Sequence, residues 1–255
     1  MNTTKSLTVS RRKFIVTSGV TGAGLSLGIT LPVSGATTGS TTEEVNAWVV
    51  IEPDDTVVIR IARSEMGQGT LTGLAQMVAE ELACDWDKVT WEYPTPGQSV
   101  ARNRVWGSFA TGGSRGIRES HQYVREGGAA ARMMLIEAAA NRWQVPASEC
   151  TAAQSIITHT PSGKTLSYGK VAKDAAQLVP PSDIVLKDPK DWQLIGTPVK
   201  RLDTADKLTG KQIYGSDLNL PNMLNATIKA CPVHGGKLAS FDDTKAKSMP
   251  GVKAV

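Results

Sequence analysis

The sequence predicts an α+β fold in two parts, a larger mixed unit followed by a smaller one. Three observations carry that expectation. Short apolar alternations bounded by turn residues share residues 46–178 with two stretches of helical periodicity. A Pro-Pro pair and "LKDPKDW" then mark a linker over 181–194. From Ile195 the texture changes to short strand-like runs separated by turn residues, which predicts a second α+β unit over 195–255.

The first forty residues stand apart. Ser10-Arg11-Arg12-Lys13-Phe14 is a twin-arginine signature, followed by an apolar stretch diluted with Gly and Thr. Ser34-Gly35-Ala36 offers small residues for a signal-peptidase cut, so 1–36 is expected to be an export signal. A membrane span is disfavoured, because crossing takes about 20 solidly apolar residues. The expected location is therefore periplasmic, reached through the twin-arginine translocase. That route serves proteins that fold before crossing, commonly around a redox cofactor.

The signal also settles the charge. The chain has 28 basic and 24 acidic residues, and four of the basic ones (Lys5, Arg11, Arg12, Lys13) lie in the signal. The remainder is neutral, so no nucleic-acid footprint is expected. Cys84, Cys150 and Cys231 are far apart with no CxxC spacing, and buried free thiols are their default reading.

Along the mature chain, "NAWVVIEPDDTVVIRIA" (46–62) predicts a hairpin turning at Pro53-Asp54-Asp55. Leu71, Leu74, Ala75, Val78 and Leu82 recur at helical spacing, so a helix starts near Thr70 and runs to about 86. A strand over 88–96 leads into an irregular loop, 97–116, and then a long helix over 117–143. Gly127-Gly128 in that helix offers a place for another element to approach. A second hairpin over 155–168 turns at Pro161-Ser162-Gly163, and a short helix over 167–178 has Ser167 as its candidate N-cap.

Two loops hold the candidate chemistry. Gly67-Gln68-Gly69 lies between a strand and a helix, where orphan N–H groups and the helix dipole favour an anion. Gln68 adds an amide that both donates and accepts. Thr111-Gly112-Gly113-Ser114-Arg115 is a second small-residue turn into a helix, with hydroxyl and guanidinium donors. Either loop alone reads as well as a simple turn or cap; together they predict a two-sided cradle for a bulky phosphorylated cofactor. Other candidates are weaker. His121, His159 and His234 have no ligand spacing, so no metal ligand is assigned. Glu80-Glu81 read as mid-helix residues of which at least one faces solvent. Ser108 and Ser114 lack a His/Asp set.

"SEMGQG", "AEEL", "TGGSRG", "GAAAR", "YGKVA" and "CPVHGGK", in this order after a twin-arginine signal, resemble the isoquinoline 1-oxidoreductase β-subunit type. That group belongs to the xanthine dehydrogenase/aldehyde oxidase family of molybdenum hydroxylases. The resemblance implies that 37–180 is the first portion of a molybdopterin-binding domain. It also implies that 195–255 is an α/β hammerhead domain, on "RLD", "KLTGKQIYGSD" and "MPGVKAV". Gly67, Gln68 and Gly69 would border the molybdenum–pterin cofactor, in its mono- or dinucleotide form, and Thr111–Arg115 would face it from the other side. The implied activity is hydroxylation of an N-heterocyclic or aldehyde carbon with water, electrons leaving to 2Fe-2S clusters on a small partner subunit. A cofactor-insertion chaperone is implied as a further partner. The family's catalytic glutamate lies in a late motif that this chain does not contain, so no catalytic residue is assigned. The chain is expected to be an N-terminal portion whose hammerhead domain is incomplete and which alone is inactive. Two other readings stay open: a cofactor-binding or assembly module, and an exported binding protein for a phosphorylated ligand.

Overall fold

The computed structural model describes residues 43–255, so the export signal expected at 1–36 lies outside the described residues. The chain divides into two compact units between Lys211 and Gln212.

The first unit is built on a four-stranded sheet in the order β1 (Glu43–Glu44), β2 (Val49–Ile51), β3 (Val57–Arg60), β4 (Val89–Glu92). Strands β2 and β3 form the expected hairpin, with Val49 opposite Ile59 and Ile51 opposite Val57. The Asp54 carboxylate accepts the Thr56 N–H at 3.0 Å, the local bond that makes Asp a turn residue. β3 and β4 pair in parallel, which requires a crossover, and helix α1 (Thr70–Leu82) supplies it. The crossover sets the turn 63–69 between the carboxyl end of β3 and the head of α1.

Helix α1 is the centre of the unit. Leu71, Leu74, Ala75, Val78 and Leu82 are each at most 1% exposed, as their spacing predicts. Glu80 and Glu81 are buried as well, which corrects the solvated face expected for one of them. The reason is a set of donors from far along the chain. Glu80 Oε2 accepts the N–H groups of Gln193, Leu194 and Ile195 at 2.9, 2.6 and 3.1 Å, and Oε1 accepts Lys187 Nζ at 2.8 Å. Glu81 accepts from Arg125 Nε at 2.9 Å and from the Lys187 N–H at 3.0 Å. Carboxylates persist in a core when they are paired and hydrogen-bonded in this way.

All of those donors except Arg125, which lies on the long helix over 121–143, belong to a strap that descends α1. Gln76 donates its side-chain amide to the Leu194 carbonyl at 2.6 Å, and the Leu202 N–H donates to Thr72 Oγ1 at 3.1 Å. The 181–194 segment expected as a linker thus leads into chain held on the first unit, which continues to Lys211.

Between β4 and the next long helix the expected irregular loop contains α2 (Pro96–Ala101). Its start is a capping box, Thr95 and Gln98 exchanging bonds with each other's backbone, with Pro96 at the first position. The single helix expected over 117–143 is two helices, α3 (Arg115–Arg118) and α4 (His121–Trp143). Gly127 and Gly128 do admit other elements. A Cβ on Gly127 would lie 2.6 Å from the Trp48 ring, and one on Gly128 would lie 2.4 Å from the Val78 carbonyl oxygen of α1.

A second sheet, β5 (Cys150–Ala153), β6 (Ile156–His159) and β7 (Lys164–Ser167), is an antiparallel meander. β6 and β7 are the expected second hairpin, and β5 adds a third strand to it. Helix α5 (Tyr168–Ala175) follows, and the fully buried Tyr168 donates its hydroxyl to the Leu82 carbonyl at 2.6 Å. Ser167 has the extended backbone of an N-cap, yet its side chain makes no cap bond. Helix α6 (Thr204–Thr209) closes the unit.

In the second unit the described residues form a 3-10 turn (Gly215–Asp217) and helix α7 (Thr244–Lys247), with no strand. The strand-like runs expected from Ile195 onward, "GVKAV" at the end among them, form no strand among the described residues, a correction to that expectation. Ile213, Ile228, Leu238 and Phe241 are exposed, and a strand-forming sequence needs a ladder partner to become a strand. Cys231 is exposed, against the expectation of three buried thiols, while Cys84 and Cys150 are buried.

Candidate cofactor-binding site

The structure brings both glycine loops to the head of α1. Arg63, 2% exposed, is the joint between them. It donates to Ser120 Oγ at 2.9 Å and to the Ala110 carbonyl at 2.7 Å, tying the end of β3 to the second loop. Thr111 Oγ1 donates to the Ser64 carbonyl at 3.0 Å, a direct bridge from one loop to the other. Underneath, Gly116 packs on Thr70, where a Cβ would lie 2.9 Å from the threonine methyl. The pair of loops is therefore a single surface with fixed spacing.

On that surface the backbone is bare. Gly67, Gly69 and Gly112 have φ of 103°, 85° and 156°, and a Cβ on any of them would meet nothing within 4 Å. A ligand can come to the chain itself at these points, which is what glycine permits and other residues prevent. Gly113 and Ser114 follow with φ of 56° and 55°. Among the described residues the amides of Gly113 and Ser114 make no hydrogen bond. Gln68 is exposed; its Oε1 accepts the Met66 N–H at 2.5 Å and its Nε2 donates to the Ser64 carbonyl at 3.0 Å. Arg115 is exposed too, with a long 3.4 Å contact from Nε to the Gly112 carbonyl.

The first loop differs from expectation in one respect. Its amides, which the sequence offers to a phosphate, already donate to Glu65. Oε1 accepts from Gly67 and Gly69 at 2.7 and 2.9 Å, and Oε2 accepts from Leu71 at 3.0 Å. Gly69, the N-cap of α1, has no side chain to cap with, so Glu65 reaches over the turn and caps the helix instead. Arg201 from the strap completes the arrangement. It donates to Glu65 Oε1 at 3.1 Å and to the Gly67 carbonyl at 2.9 Å, and it pairs with Asp203 at 2.9 Å. Asp203 in turn takes Lys207 Nζ at 2.5 Å. The Glu65 N–H donates to Tyr93 Oη at 3.2 Å, which seats the turn on the end of β4.

The two loops are marked in the sequence, whereas Arg63, Glu65, Arg201 and Asp203 are not among the expected site residues. Glu65 has a local signal, an acid four residues before a glycine N-cap. Arg201 has none, because its partner lies 136 residues away.

The charges follow from these contacts. Burial would raise the Glu65 carboxyl, but the amides of Gly69, Leu71 and Gly67 and the Arg201 charge outweigh it, leaving it below the usual range. Hydrogen bonds from Arg201, then Lys207, hold Asp203 at about 2 against an ordinary 3.8. Both folded values are depressed, so both groups stabilise the fold above their ordinary values and lose that contribution as pH falls. Folding stability should therefore decline below about pH 4, with a slope near 1.4 kcal/mol per pH unit for one such group at its steepest. Urea unfolding across that range checks this, and Asp203→Asn should flatten the decline; an unchanged slope in the variant contradicts it.

The remaining candidates are structural. His159 lies between Glu149 Oε2 at 2.8 Å and Ser162 Oγ at 2.6 Å, a local clasp of the meander. Among the described residues no cluster of His, Cys, Asp or Glu is arranged to hold a metal ion. A cavity of about 390 Å³ lies at the other end of α1, lined by Glu80, Cys84, Asp85, Lys187 and Leu194. It shares no residue with the two loops.

Residues 8–213 match the family described as molybdopterin cofactor-binding domain. The chain is 30% identical over 97% of its length to the beta chain of isoquinoline 1-oxidoreductase from Brevundimonas diminuta, covering 36% of that protein. It is 33% identical over 95% of its length to a membrane-bound aldehyde dehydrogenase [pyrroloquinoline-quinone] of Gluconacetobacter polyoxogenes, covering 32% of it. A nicotinate dehydrogenase subunit of Pseudomonas putida is 28% identical over 88% of the chain, which covers 19% of that protein. The chain thus spans about a third or less of the length of these relatives.

Proposed function

This chain belongs to the molybdopterin cofactor-binding domain family, and from that premise we propose that the two glycine loops at the head of α1 are the part of it that meets the cofactor. The observation that supports this reading is the joined pair of bare backbones. Gly67, Gly69 and Gly112 leave room for a ligand at the main chain, and Thr111 and Arg63 fix one loop to the other. A large flat group with several polar edges fits such a surface. Gln68 offers it an exposed amide, and the free amides of Gly113 and Ser114, with Arg115 beside them, offer donors to an anionic part.

When bound, the cofactor supplies metal-centred oxidation chemistry, while the protein supplies placement and hydrogen bonds. In this proposal the whole protein hydroxylates an N-heterocyclic or aldehyde carbon with water, with electrons passing to 2Fe-2S clusters on a small partner subunit. The names of the relatives, which cite an isoquinoline, nicotinate and an aldehyde, support that substrate class. Also part of the proposal are periplasmic export through the twin-arginine translocase, a cofactor-insertion chaperone, and an α/β hammerhead domain opened by the segment after Ile195. No residue of this chain is assigned as catalytic base, so turnover rests on the part of the relatives that this chain does not span.

The binding-protein reading is disfavoured by Glu65, which already holds the Gly67, Gly69 and Leu71 amides where a phosphate at the first loop would sit. The test of the favoured reading is cofactor content. The chain, produced in cells that make the molybdenum cofactor, should carry pterin, read by fluorescence after oxidation, and molybdenum, read by elemental analysis. Gln68→Ala should lower the retained pterin roughly three- to tenfold, the worth of one lost hydrogen bond. Its circular dichroism should match the parent's. Equal pterin in parent and variant removes Gln68 from the site, and no pterin in either removes the loops.

A further inference from the structure

We infer that Glu65, held by Arg201, is a positioning residue that closes the head of α1 to phosphate and commits the Gly67-Gln68-Gly69 turn to an uncharged, hydrogen-bonding edge of the ligand. The inference rests on the proposal that these loops meet the cofactor, and it says which part of the cofactor each loop can take.

Three observations carry it. First, the carboxylate is placed as a bound anion would be, with both oxygens on amides of one turn and one helix end. A phosphate and this carboxylate cannot share those donors. Second, the carboxylate is not a casual surface group: its side chain is 7% exposed and its Arg201 partner also grips the Gly67 carbonyl. To leave, it would have to give up three amide bonds and an ion pair at once. Third, the cluster is electrically balanced, with Glu65 and Asp203 facing Arg201 and Lys207. No surplus positive charge stands at the first loop to draw a phosphate in. At the second loop the amides of Gly113 and Ser114 are free, and Arg115 is nearby with no acid paired to it among the described residues.

With the Gly67, Gly69 and Leu71 amides on Glu65, a phosphate would have to displace that carboxylate to sit over the turn, whereas the Gln68 side-chain amide and the open side of Gly67 and Gly69 stay available to a ligand. Those groups suit a neutral ring edge carrying donors and acceptors. The phosphate of the same ligand then has to find its partners elsewhere.

The test uses inorganic phosphate and needs no loaded enzyme. Glu65→Ala frees three convergent amides at a helix end, and Arg201, still paired with Asp203, remains beside them. That variant should gain a phosphate-dependent rise in Tm of roughly 2–5 °C over the shift seen in the parent. Adding Arg201→Ala to it should abolish the gain. Glu65→Asp, which keeps the charge, should show no gain. Because Glu65→Ala removes a cap and can weaken the fold, Glu65→Gln serves as a second variant, nearly the same in shape but neutral. It should respond to phosphate more than the parent, though less than Glu65→Ala, with its secondary structure intact. If neither Glu65→Ala nor Glu65→Gln responds to phosphate beyond the parent, the inference is overturned. The cofactor proposal is judged separately by Gln68→Ala, so a phosphate gain in the Glu65 variants with no pterin effect at Gln68 sinks that proposal and leaves the blocking role in place.

Discussion

Glu80→Ala should cost about 3–5 kcal/mol of folding stability, the loss that follows when one side of a buried charge network is removed. The side chain is 2% exposed and takes four donors, the amides of Gln193, Leu194 and Ile195 and the ammonium of Lys187. Alanine leaves all four without their acceptor. It also releases the strap from α1 at the point where the strap is held most tightly. Glu80→Gln keeps an acceptor and the shape, so it should lose less. Urea unfolding followed by circular dichroism measures both. A loss under about 1 kcal/mol for alanine would place Glu80 with exposed ion pairs, whose worth is of that order, and would contradict its role here.

The second large effect is at Gly128. A Cβ there falls 2.4 Å from the Val78 carbonyl oxygen and 3.1 Å from Glu81 Cβ. The nearer atom is backbone inside the buried α1, so it cannot rotate away. Overpacking of this kind costs about 1–3 kcal/mol, and the immobile contact argues for the upper end. Alanine returns about 1 kcal/mol through helix propensity. The net expectation for Gly128→Ala is a loss of about 2 kcal/mol, read by thermal or urea unfolding. A variant more stable than the parent would show that α1 and α4 are not in van der Waals contact at this glycine.

Much of the first unit is legible in the sequence because its signals are local. The β2–β3 hairpin announces itself by alternation and an Asp-rich turn, and α1 by its apolar spacing. Helix α2 is equally local, with Thr95, Pro96 and Gln98 in capping register, but the irregular texture of the loop around it masks the signal. Glu80 and Glu81 mislead, since charge on a helix normally means solvent. Their partners at 125, 187 and 193–195 are invisible to any short window. The candidate site shows the same division. Gly67, Gln68, Gly69 and the 111–115 loop stand out by composition, whereas the joint made by Arg63 and the clamp made by Arg201 exist only once the chain has folded back. In the second unit the apolar runs that suggest strands remain exposed.

The strap has a consequence for timing. Contacts between Glu65 and its own turn close over a few residues, while Arg201 reaches Glu65 across 136. Long loops close slowly, and a chain emerges from synthesis N-terminal end first. The turn and its carboxylate can therefore be in place early, but their outer clamp arrives only after the whole first unit has been made. During that interval the head of α1 is shaped yet unfastened.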